Sequence, residues 1–215
     1  MKMNKKYFSF LFICSFFIIN VYCQNNDIIT QSVNNYVNNE LQKFDSNDYK
    51  NKNNGLSFTM NYPSNYSFKD GERPHILKQY TSPQDANGGI ISSNIQINSM
   101  PEEMSYFSSS EIAEYLFSDE LNKEAFPDAK IIYSKNTKYE GQPGHILIYI
   151  QKVERAGVSL NMLACIQRFI YKNSTVAINT FYTLTKPIND NLENKLQSFL
   201  LLNSQIGNSI VLRKY

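Results

Sequence analysis

Residues 145–185 read HILIYIQKVER (145–155), AG, VSLNMLACIQRFIY (158–171), KNS, TVAINTFYTLT (175–185), and this stretch decides the fold. It parses as three consecutive β-strands joined by two tight connections, Ala156-Gly157 and Lys172-Asn173-Ser174. In the third strand Val176, Ile178, Tyr182 and Leu184 point one way. Thr175, Asn179 and Thr183 point the other, with Ala177 and Phe181 among them. A period of two marks a sheet with one better-buried face. The first strand carries Ile146, Ile148 and Ile150 on one face and Leu147, Tyr149 and Val153 on the other, so both of its faces are expected to be covered. Connections this short make the neighbours antiparallel.

Working outward, strands are predicted at Leu56–Tyr62, at Tyr66–Phe68, at His75–Thr81, at Ile90–Asn98 and at Ala129–Tyr139. Pro63 and Glu140-Gly141-Gln142-Pro143-Gly144 punctuate them. Ile29, Val33, Tyr36, Val37, Leu41 and Phe44 share one helical face, which predicts a helix over Asp27–Phe44 followed by a polar linker, Ser46–Gly55. Ser108 and Glu111 form a capping box for a second helix, whose apolar face is Ile112, Ala113, Leu116, Phe117 and Leu121 and which ends at Pro127. A third helix is predicted over Asp190–Leu202, then a short strand through Ile210, Val211 and Leu212. Strands without alternating crossover helices give an α+β domain: an antiparallel sheet of about six to seven strands flanked by helices.

The N-terminus reads as a signal peptide over residues 1–23. Lys2, Lys5 and Lys6 precede an apolar run, Tyr7–Val21, too short to span a membrane, and cleavage is expected between Cys23 and Gln24. The alternative is an outer-membrane lipoprotein acylated at Cys23, for which Tyr22 is a bulky neighbour. The expectation is a secreted or periplasmic protein with no transmembrane helix in its mature chain. Removing residues 1–23 takes away three lysines, leaving 18 Lys and Arg against 19 Asp and Glu. No electrostatic case for nucleic acid survives. Of three cysteines only Cys165 is then left. An internal disulfide is excluded, and an apolar core must hold the fold.

Gly55-Leu-Ser-Phe-Thr-Met-Asn-Tyr-Pro-Ser-Asn-Tyr66 resembles the opening of PsbP-like domains and their DcrB-like bacterial relatives, G-F-x-F-x-Y-P-x-x-W, with Tyr66 at the tryptophan position. Gly71–Tyr80 and Arg155–Ser159 are similar to G-N-R-P-H-I-V-K-K-F and R-A-G-L-E of small secreted Bacteroidetes-type proteins. The resemblance implies a PsbP-like sandwich over residues 55–215 as a single domain, preceded by residues 24–54. It implies accessory or binding roles rather than catalysis.

No catalytic motif is present. His75, His145 and Cys165 lack the close ligand spacing of a zinc site, and Cys165 sits in an apolar strand unsuited to a nucleophile. No metal or other cofactor is expected. Gly88-Gly89 lacks the G-K-[ST] of a phosphate loop, and Asp85-Ala86-Asn87-Gly88 lacks the terminal glutamate of a calcium loop. Arg73-Pro74-His75 is the most unusual polar cluster, and Pro74 biases Arg73 towards extended geometry. Arg73 is expected to pair with a nearby carboxylate. Arg73, His75 and Arg155 are the candidate binding residues. The expected function is non-enzymatic: an exported binding or accessory protein of the cell envelope, recognising an envelope protein, a peptide or a small ligand. The alternatives are an exported enzyme with a sparse Cys/His hydrolase-like site, or a carrier of a hydrophobic ligand.

Overall fold

The computed structural model describes residues 27–155, 157–184 and 192–213. The segment read as a signal peptide, with Cys23 and Gln24, lies outside them, as does the expected Asp190 cap. Among the described residues, four α-helices and ten strands make an α+β fold with two antiparallel sheets. The large sheet has the order β3(Ser67–Asp70), β4(Ile76–Thr81), β5(Ile90–Ser99), β9(Ser174–Leu184), β8(Val158–Tyr171), β7(Gln142–Arg155), β6(Lys130–Tyr139). The three strands read from residues 145–185 form one side of it. β7 and β8 pair from Gly144↔Phe169 to Arg155↔Val158, and β8 and β9 from Tyr171↔Ser174 to Asn161↔Leu184.

The hairpin that leads into this block is tighter than expected. The β6–β7 hairpin needs only Glu140-Gly141, both at positive φ (48° and 82°), so Gln142, Pro143 and Gly144 belong to β7 and not to the loop. A two-residue turn with both φ positive matches the natural twist of a hairpin. Gly144 has a further reason to be glycine: a Cβ there would meet the Tyr139 ring at 2.6 Å and the Arg168 carbonyl oxygen at 2.8 Å.

The small sheet, order β1(Leu41–Asp45), β2(Phe58–Pro63), β10(Val211–Leu212), is absent from the sequence reading. The helix expected over Asp27–Phe44 stops at Val37, giving α1(Ile28–Val37). Asn39 adopts a left-handed φ of 57°, which asparagine tolerates, and the chain reverses into β1. Leu41 and Phe44 therefore sit on a strand paired to β2, Leu41↔Pro63 through Asp45↔Thr59. The Arg213 guanidinium holds Asp45 at 2.8 Å and ties the C-terminal strand to this sheet. The second helix also divides. Ser108 completes its capping box with Glu111 as expected, but α2(Ser109–Leu116) ends and Ser118 caps a new helix, α3(Asp119–Ala125).

One face of the large sheet, the inner face, packs against the small sheet, α1 and α4(Leu192–Asn208). Tyr62 of β2 stacks on Tyr80 of β4 at 4.0 Å, and the Tyr62 hydroxyl continues to Ser93 and Thr180 on the sheet. Phe58, Phe169 and Tyr139 extend the aromatic layer. The outer face is dressed differently. α2 packs on Ile170 of its β6–β8 side, and Phe126, the residue after α3, closes over Leu147, Tyr149, Ala164 and Ile166. Over β5 and β9 the outer face presents Asn94, Gln96 and Asn179, which hydrogen-bond to one another.

Candidate functional site

The sheet disperses the residues singled out from the sequence. His75 precedes β4 and His145 lies in β7, four strands away, a separation of about 19 Å at the spacing of hydrogen-bonded strands. Arg155 ends β7, and with alternating strand directions it falls at the opposite end of the sheet from Arg73 and His75; its side chain is outside the described residues. Arg73, His75 and Arg155 therefore do not converge on one site. Arg73 is exposed and forms no ion pair among the described residues; the neighbouring Glu72 is held by Lys69 at 3.0 Å. The expected Arg73–carboxylate pair is thus absent, because i,i+3 spacing gives that carboxylate to the lysine. Cys165 is fully buried on the inner face, where burial pushes its thiol up. His145 is on the outer face, paired across strands with Arg168. The sheet itself separates the His145 ring from the Cys165 sulfur.

Two features of the outer face replace the expected site. The first is a polar cluster beneath α2 and α3. His145, 1% exposed, stacks on Phe117 at 5.7 Å. Its Nε2 lies 3.1 Å from Ser134 Oγ, and Ser134 Oγ donates to Asp119 Oδ1 at 2.8 Å. A hydroxyl has one proton, and the carboxylate takes it. His145 Nε2 must then be the donor to Ser134, and the lone pair is left on Nδ1. Nδ1 and the Arg168 Nε are both buried without a partner among the described residues. Arg168 sits over the Phe117 ring at 4.8 Å and donates to Asn122 Oδ1. Burial first, and the Arg168 charge second, lower His145 to about 4 against the opposing pull of Asp119. Burial also lowers Arg168, to about 10. Three residues of a familiar hydrolytic set meet here in the wrong order: the serine, not the imidazole, is the middle member, so the imidazole does not accept the serine proton.

The second feature is a surface, residues 100–116. Pro101 opens a 3-10 turn, Glu102–Tyr106, and Met104 and Phe107 close it through backbone bonds to Pro101 and Met104. The turn is anchored where the Met100 N–H donates to the Asn173 carbonyl of the β8–β9 hairpin. Ile112, Ala113 and Phe117 then pack on Ile170, with Met100, Met104 and Leu116 around them. Because that small cluster uses the inward positions, the aromatic residues between them face solvent: Tyr106 is 86% exposed, Phe107 58% and Tyr115 60%. Two concavities flank this ridge and share Met104, Phe107 and Ile112. One, about 320 Å³, reaches Lys172 and Asn173; the other, about 570 Å³, is lined by Glu103, Met104, Phe107, Glu111, Ile112 and Tyr115. Sequence reasoning passed over Tyr106, Phe107 and Tyr115. The available signal was three large aromatic residues lying off the core-facing positions of a capped helix and its approach.

No family model matches the chain, and no curated protein matches it. Among solved structures it is similar to LpqN of Mycobacterium tuberculosis, described as involved in cell envelope biogenesis, at 7% identity and a TM-score of 0.46, covering 83% of this chain and 95% of LpqN. A structure from Bacteroides thetaiotaomicron is similar at 13% identity and a TM-score of 0.37, covering 73% of this chain and 45% of that one. A conserved protein of unknown function from Enterococcus faecalis has 10% identity and a TM-score of 0.23, covering 66% of this chain and 74% of that one. Likenesses this distant do not bear on function. No described helix is long and apolar enough to cross a membrane.

Proposed function

We propose that the protein is an exported, non-enzymatic binding or accessory protein of the cell envelope, of PsbP-like type, and that it works through the surface formed by residues 100–116. The observation that carries this reading is an apolar groove of about 570 Å³ lined by the exposed Phe107 and Tyr115, with the exposed Tyr106 adjacent to Phe107 in the chain. Exposed aromatic residues clustered at a concavity are the kind of surface that anchors a partner. Export rests on the signal-peptide reading of residues 1–23, and the PsbP-like assignment rests on the motifs at Gly55–Tyr66. Against catalysis stand the buried Cys165 thiol and an imidazole that donates to Ser134. The carrier reading is not favoured, because Tyr62, Tyr80, Phe58 and Phe169 fill the layer between the sheets.

The test is affinity capture from an extract of the producing cell, with the mature wild type and with Phe107→Ser side by side. The expected result is loss of the captured material in the variant at unchanged melting temperature. An identical captured set from both proteins overturns the reading.

A further inference from the structure

We infer that the groove beside Phe107 takes a basic amphipathic peptide segment, one that presents apolar and Lys or Arg side chains together. The inference rests on the binding reading of the same surface and adds the chemistry of the partner. Its second observation is charge. From Met100 to Asn122 the chain carries Glu102, Glu103, Glu111, Glu114, Asp119 and Glu120 and not one Lys or Arg. All six are exposed. Glu103 and Glu111 line the larger groove itself, beside Met104, Phe107 and Tyr115. Glu102 lines the smaller one.

The cations nearby do not cancel this field. Lys172 lines only the smaller groove, where its ammonium lies over Tyr171 at 5.6 Å and 3.4 Å from the Gly55 carbonyl. Lys123 stands in the last turn of α3, and Arg168 lies beneath the helices, turned to Asn122 and Phe117. The surface is therefore an aromatic groove with an acidic rim. The apolar centre supplies affinity when it is covered, and the rim selects the sign of the partner's charge and speeds encounter. The same charge argues against other occupants. A second copy seated on this surface would set carboxylates against carboxylates. An anionic lipid surface attracts basic segments and repels acidic ones.

Fluorescence anisotropy with labelled short peptides tests the proposal on the mature protein. The probes are a Leu/Lys amphipathic peptide, the same peptide with Gln or Glu in place of Lys, and a Ser/Lys peptide without an apolar face. Only the Leu/Lys peptide is expected to bind, in the micromolar range. Phe107→Ser is expected to weaken it by about tenfold or more, and Phe107→Tyr to restore it. Glu103→Gln is expected to weaken it by about threefold and to reduce its salt dependence. Equal binding of the Leu/Gln or Leu/Glu peptide through Phe107 overturns the partner class and leaves the groove reading standing. So does failure of every peptide while capture from cell extract still depends on Phe107. Phe107-dependent binding to phosphatidylglycerol vesicles, or a sedimentation dimer abolished by Phe107→Ser, also overturns it. Loss of Phe107 dependence in both peptide binding and extract capture removes the groove reading as well.

Discussion

The two faces of the large sheet are built from similar strands and treated in opposite ways. The inner face is closed. Ile91, Ile95, Ile97, Phe169, Val176, Ile178 and Tyr182 are buried there beneath a second sheet and two helices. The outer face is covered in part, by short helices over β6–β8, and it accepts a buried histidine, a partly buried arginine and exposed aromatic rings. A sheet with one fully packed face already has its stabilising core. Unpartnered buried atoms occur on both sides, Tyr80 Oη in the inner layer and His145 Nδ1 and Arg168 Nε on the outer face; the outer face adds a charged side chain and exposed rings. On the proposed function, stability and interaction are divided between opposite sides of the same strands.

The sharpest way to break this contrast is to truncate an aromatic residue on each side. Phe169 lies 5.2 Å from Tyr139 and 6.4 Å from Phe58, with no exposure. Phe169→Ala is expected to cost about 3–5 kcal/mol in urea denaturation. Phe107→Ser, on the exposed outer surface, is expected to stay within about 0.5 kcal/mol of wild type. Equal losses from the two would mean that the outer surface is part of the core.

Acid separates the faces next. His145 titrates at about 4 in the fold, below its ordinary value of 6.5. Between those values the unfolded chain takes up a proton that the folded chain refuses. Stability is therefore complete above about pH 6.5 and falls as the pH drops towards 4, by on the order of 2 kcal/mol. Denaturation at pH 7 and pH 5 measures the slope. His145→Gln, which cannot titrate, is expected to flatten it; an unchanged slope in the variant would assign the acid sensitivity elsewhere.

Cys165 gives a smaller effect. It is buried between Ile148 and Thr180 on neighbouring strands. Cys165→Ala is expected to cost about 1 kcal/mol, and the native thiol is expected to resist a labelling reagent. Fast labelling of the folded protein would contradict the closed inner face.

The strands of the large sheet and a local helix cap were legible in the sequence, and the contacts between distant segments were not, for physical reasons. Alternation of Val176, Ile178, Tyr182 and Leu184 against Thr175 and Asn179 is a local signal, and the strands followed it. The Ser108–Glu111 capping box is equally local and formed as read. The small sheet joins β2 to a strand far along the chain, β10, so no short window contains it. Leu41 and Phe44, three apart, share a helical face but fall on opposite faces of a strand, and the left-handed turn at Asn39 sends them into β1. The His145 cluster gathers Ser134 and Arg168 through strand register, with Ser134 diagonal to His145 across the β6–β7 pair, and takes Asp119 from the start of α3. Arg73-Pro74-His75 was conspicuous in composition, yet proline beside a charged residue describes a turn as readily as a site.

That turn supplies the smallest expected effect. Arg73 was expected to hold a carboxylate and so to matter for stability. In the fold it is exposed, its backbone carbonyl accepts from the Ile76 N–H at 3.0 Å, and Lys69 occupies Glu72. The backbone bond survives any side chain at this position. Truncation removes no buried area and leaves no carboxylate without its cation. An exposed ion pair would be worth about 0–1 kcal/mol even if one formed transiently. Arg73→Ala is therefore expected to melt within about 0.5 kcal/mol of wild type. Since Arg73 lies before β4 and the aromatic groove lies over β7 and β8, binding at Phe107 is expected to be unchanged as well. Thermal melts and the peptide titration on this one variant check both parts. A clear loss of stability would mean that Arg73 does find a carboxylate in solution. A loss of binding alone would move the interaction surface from the covered side of the outer face to the β3–β4 edge.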